Sequence, residues 1–178
     1  MNTCEKSPRN LVNTDVLIKE TNMIKILFIC HGNICRSPMA EFIFKDILTK
    51  TNLISDFYIA SAATSTEEIW NGIGNPVYPP AREELAKHGI SCEGKRAVQV
   101  TKADYQKYDY LICMDSNNVR NLMRIIGKDP DNKVSLLLDF TDRKGASIAD
   151  PWYTGNFTAT YRDIVDGLDG FMKYLGLS

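Results

Sequence analysis

The sequence predicts an α/β fold in which helices cover both faces of a doubly wound parallel sheet. Short apolar runs alternate along the chain with longer segments of helical periodicity, and this alternation implies right-handed crossovers between parallel strands. The first run, residues 23–29 (MIKILFI), is almost entirely apolar, as expected of a strand buried on both faces. Ligands of such sheets bind beyond the carboxyl ends of the strands. Cys30, which follows this run, is therefore a prime candidate position for a site.

The first helix follows a loop that ends near Ser37. Ser37 can cap this helix and Pro38 suits its first position, while apolar residues at helical spacing carry it to about Lys50. Residues 56–60 predict the second strand. Residues 61–80, rich in Ser, Thr, Gly and Pro, predict a long loop, of a length that is usually functional or disordered.

The rest of the chain continues the alternation. The predicted elements are a helix over residues 81–88 closed by Gly89, a strand over 110–114, a helix over 117–126 ending at Gly127, a strand over 134–138 and a final helix over about 158–175. No internal repeat or second domain is visible. A chain of 178 residues suits one domain whose core needs no disulfide or structural metal.

Composition and charge exclude several kinds of partner. With 21 basic and 22 acidic residues and a net charge of -1, neither nucleic acid nor an anionic membrane is expected. No apolar segment approaches the roughly 20 residues that cross a bilayer. The five cysteines lack the C-x-x-C spacing of a zinc site, so no metal or other cofactor is expected and a reduced, cytoplasmic protein fits best.

The first 22 residues differ from the rest of the chain. They are polar, rich in Asn and Thr, and lack the basic end and apolar run of a secretory signal. Such a composition predicts a loosely ordered extension. The predicted domain then covers residues 23–178.

The loop between the first strand and the first helix carries the predicted chemistry. Its ends are Cys30 and Arg36, and between them lie His31, Gly32, Asn33, Ile34 and Cys35. Gly32 and Asn33 tolerate backbone angles that are closed to most residues, which lets the loop amides converge on an anion at the positive end of the helix. Arg36 can bond two phosphate oxygens at once. The loop is therefore predicted to bind phosphate.

Cys30 is predicted to be a nucleophile. The amides, the helix end and Arg36 create a positive field that favours the thiolate, and the Ser37 hydroxyl could donate to the sulfur and help it depart. A cysteine and an arginine at this spacing would by themselves more often be core residues, but the combined context favours catalysis. Cys35 is close enough across the loop to form a disulfide with Cys30, so reversible oxidative inactivation is a further hypothesis.

Several stretches of the chain resemble one family. CHGNICRSPMAE over residues 30–41 resembles the signature of the low-molecular-weight protein tyrosine phosphatases. SAATST at 61–66, KHGI at 87–90, YDYLICMD at 108–115 and DPWY at 150–153 follow in the family's order. The resemblance covers about residue 24 to the C-terminus. It implies a flavodoxin-like four-stranded parallel sheet, a phosphotyrosine-containing protein as substrate, and inorganic phosphate as product and competitive ligand.

The resemblance also implies roles for residues outside the nucleophile loop. It places the Asp-Pro loop opposite the cysteine, so Asp150 would protonate the leaving phenol and then activate water. Asn33, Ser37 and Ser61 would stiffen the loop by hydrogen bonds. Asp115 matches an acid near the arginine; it is equally suited to cap the following helix, and both roles can hold.

Aromatic and apolar residues are expected to select the substrate. Trp152 and Tyr153, beside Asp150, are placed to sandwich an aromatic leaving group, and Trp70 is a further candidate for this rim. In the family that the chain resembles, an isoleucine at the position of Ile34 goes with phosphotyrosine and a threonine with phosphoarginine.

Other functions stay open on the sequence alone. A protein arginine phosphatase and an arsenate reductase would use the same fold, but a reductase needs a relay of extra cysteines, and Cys92 and Cys113 lack the close pairing that such a relay uses. A carrier that holds phosphate on cysteine would have no need for Asp150.

Overall fold

The computed structural model describes residues 23–177, so the predicted N-terminal extension lies outside the described residues. The strands are β1 (Ile24–Cys30), β2 (Phe57–Ala63), β3 (Ile69–Trp70), β4 (Ile73–Gly74), β5 (Tyr110–Cys113) and β6 (Val134–Leu136). The helices are α1 (Arg36–Lys50), α2 (Pro79–Lys87), α3 (Asp104–Lys107), α4 (Ser116–Ile126), α5 (Pro151–Thr154) and α6 (Phe157–Tyr174), with 3₁₀ turns at Ile54–Asp56 and Leu137–Phe140.

Four strands form the main sheet in the order β2-β1-β5-β6. All three neighbouring pairs are parallel, which confirms the predicted flavodoxin-like α/β fold. The chain leaves β1 towards β2 on one side and returns to β5 on the other, so the strand order reverses at β1. This reversal opens a crevice beyond the carboxyl end of β1, where Cys30 lies.

The two faces of the sheet have separate cores. Ile26 and Phe28 pack with side chains of α1, α2 and α6 on one face, and Leu27 and Ile29 pack with α4 on the other. This alternation follows from the period of two along a strand. No helix among residues 23–177 is long and apolar enough to cross a bilayer.

The start of α1 differs from the prediction. The helix begins at Arg36, and Cys35 takes the N-cap position, so Ser37 lies in the first turn and makes no cap, and Pro38 is the third helical residue. The prediction of a Ser37 cap was wrong because it assigned the hydroxyl to the helix end, whereas this hydroxyl faces the Cys30 sulfur.

The prediction that residues 61–80 form one long loop was also wrong, because parts of this segment belong to strands and to α2. Pairing with β1 continues to Cys30 and Ala63, so β2 is longer than its apolar run. The antiparallel hairpin β3–β4 turns at Asn71 and Gly72, both with positive φ, and α2 already begins at Pro79. Long-range strand pairing and a two-residue turn thus order much of this segment.

Candidate active site

The loop after β1 returns over the sulfur of Cys30. Ser37 Oγ lies 3.0 Å from this sulfur, and the Asn33 N–H donates to it at 3.3 Å. Asn33 Nδ2 donates to Ser37 Oγ at 2.9 Å, so the hydroxyl proton of Ser37 is free to be donated to the sulfur. Both contacts stabilise a negative charge on Cys30. Cys30 is only 3% exposed.

The loop carbonyls bond outward. The carbonyl oxygens of Cys30, His31 and Ile34 accept hydrogen bonds of 2.8 to 3.0 Å from backbone N–H groups of the neighbouring segments. Because the C=O and N–H of one planar trans peptide unit point in opposite directions, the N–H groups that follow these carbonyls turn towards the centre of the loop. Convergent N–H groups at a helix N-terminus form an anion cradle.

Asn33 holds the loop in its conformation. Its φ is 57°, a left-handed conformation that Asn tolerates better than most residues. Nδ2 also donates to Ser61 Oγ at 2.8 Å, and Oδ1 accepts from the Val98 N–H at 3.1 Å. The side chain is fully buried. Asn33 therefore ties the loop to β2 and to the segment after α2.

Gly32 serves a purpose other than the predicted one. Its φ is not positive, and the left-handed residue of the loop is Asn33. A Cβ on Gly32 would lie 3.1 Å from Cγ of Glu68, tighter than ordinary contact. Gly32 thus allows the segment that carries Glu68 to approach the loop, which the sequence did not reveal.

Arg36 is held by two carboxylates and one carbonyl. Nη1 donates to Asp115 Oδ2 at 2.6 Å and to the Ile148 carbonyl at 3.0 Å, and Nη2 donates to Asp150 Oδ2 at 2.8 Å. Asp115 also caps α4, since its Oδ1 accepts from the Asn118 N–H at 2.7 Å. Asp115 therefore both caps α4 and contacts the guanidinium, as the sequence allowed.

The charges around the loop act on two neighbouring groups. Burial by itself would lower the pKa of Arg36, but the adjacent Cys30, Asp150 and Asp115 raise it above its ordinary value. Burial, together with the charges of Cys30 and Asp150, raises the pKa of the Cys35 thiol despite the opposing effect of Arg36. Arg36 is thus a permanent cation, and Cys35 is a neutral thiol at neutral pH.

Asp150 sits at the start of a short aromatic helix. It is the N-cap of α5, and its Oδ1 accepts from the Trp152 N–H at 3.1 Å. Pro151 suits the first position of the helix, and Gly155 ends it with φ 69°. This turn places the Asp150 carboxylate beside Arg36 and leaves Trp152 and Tyr153 exposed above it.

These residues enclose a cavity of about 150 Å³, the Cys30 pocket. Its lining comprises Cys30, His31, Gly32, Ile34, Cys35, Arg36, Glu67, Glu68, Asp150, Trp152 and Tyr153. Trp70 does not line it and is 70% exposed on the β3–β4 hairpin, so its expected place in the rim was wrong. Glu67 and Glu68 stand there instead, and Glu67 Oε2 lies 2.8 Å from His31 Nε2.

A buried ion pair supports the loop from behind, and sequence reasoning missed it. Glu41 Oε2 accepts from Ser61 Oγ at 2.5 Å and lies 3.4 Å from Lys95 Nζ. The Glu41 and Lys95 side chains are only 6% and 12% exposed. Glu41 lies next to the apolar stripe of α1, and an acidic residue at such a position is a signal that the sequence offered. No sequence pattern pointed to Lys95.

The sequence is similar to those of known proteins over nearly all of the described residues. The family model for the low molecular weight phosphotyrosine protein phosphatases matches residues 25–177. The chain belongs to this family. A low molecular weight protein-tyrosine-phosphatase of Bacillus subtilis, YfkJ, is 40% identical over 83% of this chain and 92% of that protein. The low molecular weight phosphotyrosine protein phosphatase of Gallus gallus is also 40% identical, over 83% of this chain and 93% of its own length.

Solved structures of the family share the fold. The crystal structure of Bacillus subtilis YfkJ superposes with a TM-score of 0.80 at 36% identity, covering 86% of this chain and 95% of that chain. A low molecular weight protein tyrosine phosphatase from Streptococcus pyogenes gives a TM-score of 0.72, also at 36% identity, over 86% of this chain and 93% of its own. The family domain therefore spans nearly all of the described residues.

Proposed function

We propose that the chain is a protein tyrosine phosphatase that hydrolyses phosphotyrosine through a cysteinyl-phosphate intermediate on Cys30. Membership of the family supports the reaction. The observation that carries the residue roles is the enclosure of Cys30, Arg36 and Asp150 in one pocket. In this pocket a thiol, a bidentate cation and a carboxylate can act on the same phosphate.

In the first step, the Cys30 thiolate attacks phosphorus and the bond from phosphorus to the tyrosine oxygen breaks. Arg36 and the loop N–H groups stabilise the charge on the three non-bridging oxygens. Asp150 donates its proton to the leaving oxygen, which departs as a neutral phenol. A cysteinyl-phosphate and an Asp150 carboxylate remain.

In the second step, water attacks phosphorus while the Asp150 carboxylate takes its proton. The sulfur–phosphorus bond breaks, inorganic phosphate forms, and the Ser37 hydroxyl stabilises the departing thiolate by a hydrogen bond. Proton transfer of this kind typically contributes roughly 10²- to 10⁴-fold to the rate. The product phosphate fits the same cradle and is expected to compete with substrate.

The other candidate functions have less support in the site. Cys92 and Cys113 are buried and do not line the Cys30 pocket, whereas an arsenate reductase would need further cysteines that can reach Cys30. Ile34 lines the pocket and, by family resemblance, favours phosphotyrosine over phosphoarginine. The four described cysteines are free thiols, which suits the proposed work in a reducing compartment such as the cytoplasm.

The experiment that tests the proposal is a trapping assay. The parent protein is expected to hydrolyse an aryl phosphate and a phosphotyrosine peptide, and to carry phosphate on Cys30 when quenched with acid and examined by mass spectrometry. Cys30→Ser is expected to lose turnover by about 10⁴-fold or more while still binding phosphate. Substantial turnover by Cys30→Ser would show that the nucleophile is wrongly assigned.

A further inference from the structure

A groove leads from the Cys30 pocket along the start of α2. It has a volume of about 340 Å³ and shares Ile34, Glu68 and Trp152 with the pocket. The Tyr78 ring forms a wall of the groove, with its centroid 5.0 Å from that of Trp152. At its far end the groove meets a second cavity of about 490 Å³, and Arg82 lines both. We call the 340 Å³ groove the Arg82 groove.

Arg82 is the cation of this groove. Its side chain is exposed, and among residues 23–177 no carboxylate lies within 4.0 Å of its guanidinium. Tyr78 is the N-cap of α2, and its carbonyl accepts from the Arg82 N–H at 3.0 Å, so Arg82 follows it by one turn, about 6 Å along the helix axis. Arg82 therefore lies one helical turn beyond the aromatic wall.

We propose that Arg82 binds an acidic side chain that flanks phosphotyrosine in the substrate protein. This inference rests on the proposed function. A phosphotyrosine seated on the Cys30 loop brings its flanking chain over Tyr78 and Trp152. An extended chain advances about 3.3 Å per residue, so a residue roughly two to four positions away reaches the turn that carries Arg82. A carboxylate there would form a charge-assisted hydrogen bond with the guanidinium.

The acidic residues at the pocket rim, Glu67 and Glu68, already have hydrogen-bond partners within the chain. Glu67 already contacts His31 at 2.8 Å, and Glu68 Oε2 accepts from Asn75 Nδ2 at 2.7 Å. Both carboxylates thus have partners of their own, whereas Arg82 has no carboxylate partner among the described residues. A substrate carboxylate gains an ion pair at Arg82 without breaking one.

The test uses phosphotyrosine peptides of one parent sequence with Glu, Gln or Lys at each flanking position in turn. The rate of phosphate release gives kcat/KM for each peptide. We expect Glu to exceed Gln by about three- to fivefold at one or two neighbouring positions. Arg82→Gln should abolish this preference, and Arg82→Glu should transfer it to Lys. Arg124→Gln, an exposed arginine of α4 outside the groove, should behave like the parent.

Other results would overturn either the role of Arg82 or the proposed function, and the two cases can be told apart. A parent protein with no Glu preference, with a Lys preference, or with a Glu preference that survives in Arg82→Gln would overturn the role of Arg82. Hydrolysis of an aryl phosphate should be unchanged in every Arg82 variant, because such a substrate does not reach the groove. A parent that fails to hydrolyse aryl phosphate would instead overturn the proposed function. Should Arg82→Gln fold poorly by circular dichroism, Arg82→Lys should keep the preference for Glu and Arg82→Glu should transfer it to Lys; any other result from this pair would overturn the role of Arg82.

Discussion

Arg36 Nη2 lies 2.8 Å from Asp150 Oδ2, so the proposed phosphate ligand and the proposed general acid are in direct contact. Arg36 Nη1 is anchored separately, by Asp115 and the Ile148 carbonyl. A substrate phosphate that bonds to Nη2 competes with Asp150 while the anchor stays in place. Substrate binding is therefore expected to free the Asp150 carboxyl for the leaving oxygen.

Asp150→Ala is expected to lower kcat about 10²- to 10³-fold on a phosphate ester with a poor leaving group. The loss should be much smaller on 4-nitrophenyl phosphate, because that phenolate departs without a proton. Asp150→Asn keeps an oxygen that can accept from the Trp152 N–H, so it separates the loss of the acid from loss of the α5 cap. Equal losses on both esters would contradict the general-acid role.

Asp115→Asn should separate two functions of one side chain. Asn is as good an N-cap as Asp, so the free energy of unfolding should change little, while loss of the charge beside Arg36 should lower kcat/KM by about tenfold. Asp115→Ala should show the same kinetic loss together with about 1 kcal/mol of destabilisation from the missing cap. The measurements are urea denaturation and steady-state kinetics. Full activity in Asp115→Asn would mean that Arg36 does not need this anchor.

Glu41→Gln should affect both stability and the nucleophile. Burial already lowers the pKa of Lys95, and Glu41 opposes this effect, so removing the carboxylate leaves a buried cation unpaired. Such a loss destabilises by about 3 kcal/mol. Because Glu41 reaches Asn33 through Ser61, the rate at which iodoacetamide alkylates Cys30 should also change.

A double-mutant cycle controls this prediction. Glu41→Gln combined with Lys95→Met removes both buried charges and leaves only the partly exposed Lys45, the second partner of Glu41, without its carboxylate. It should therefore recover part of the lost stability. Asp169→Asn, which removes an exposed carboxylate of α6, should change neither the free energy of unfolding nor the rate of Cys30 alkylation. An unchanged Cys30 alkylation rate in Glu41→Gln would limit the pair to a structural role.

Alkylation at neutral pH should distinguish the cysteines of the core. Burial, with the charges of Cys30 and Asp150, raises the pKa of Cys35, and burial raises the pKa of Cys113. An acid whose pKa is raised stays protonated to higher pH, so both remain neutral thiols, which react poorly with iodoacetamide. Peptide mass spectrometry should find Cys30 modified first and protected by phosphate. Labelling of Cys35 as fast as Cys30 would refute this.

Peroxide treatment tests the hypothesis of a protective disulfide. The parent should lose activity and regain it with a thiol reductant, because Cys35 traps oxidised Cys30 as a disulfide. Cys35→Ser should regain less, since its Cys30 proceeds to irreversible oxidation states. Cys92→Ser, which alters a cysteine outside the Cys30 pocket, should recover like the parent. Equal recovery by all three proteins would exclude the disulfide.

Local patterns predicted the parts of the molecule that are contiguous in the chain. The apolar run before Cys30 predicted a buried strand, and the structure has β1 over Ile24–Cys30. Patterns failed where a distant segment determines the local form. Residues 61–63 have no strong strand pattern, yet they extend β2 because they pair with β1. Ser37 followed by Pro38 is a typical N-cap sequence, yet the Ser37 hydroxyl contacts the Cys30 sulfur instead of capping the helix. Helix-capping preferences do not include such a contact.

The sequence by itself determined that a strand, a short loop from Cys30 to Arg36 and a helix follow one another, because these elements are contiguous in the chain. The family motifs added the expectation that Asp115 lies near the arginine and Asp150 opposite the cysteine. Only the tertiary structure decided that Arg36 bonds to both carboxylates, that Lys95 and Glu41 support the loop, and that Glu67 and Glu68 line the pocket while Trp70 does not. These contacts join residues far apart in the chain, so their geometry depends on how the whole sheet and its helices pack.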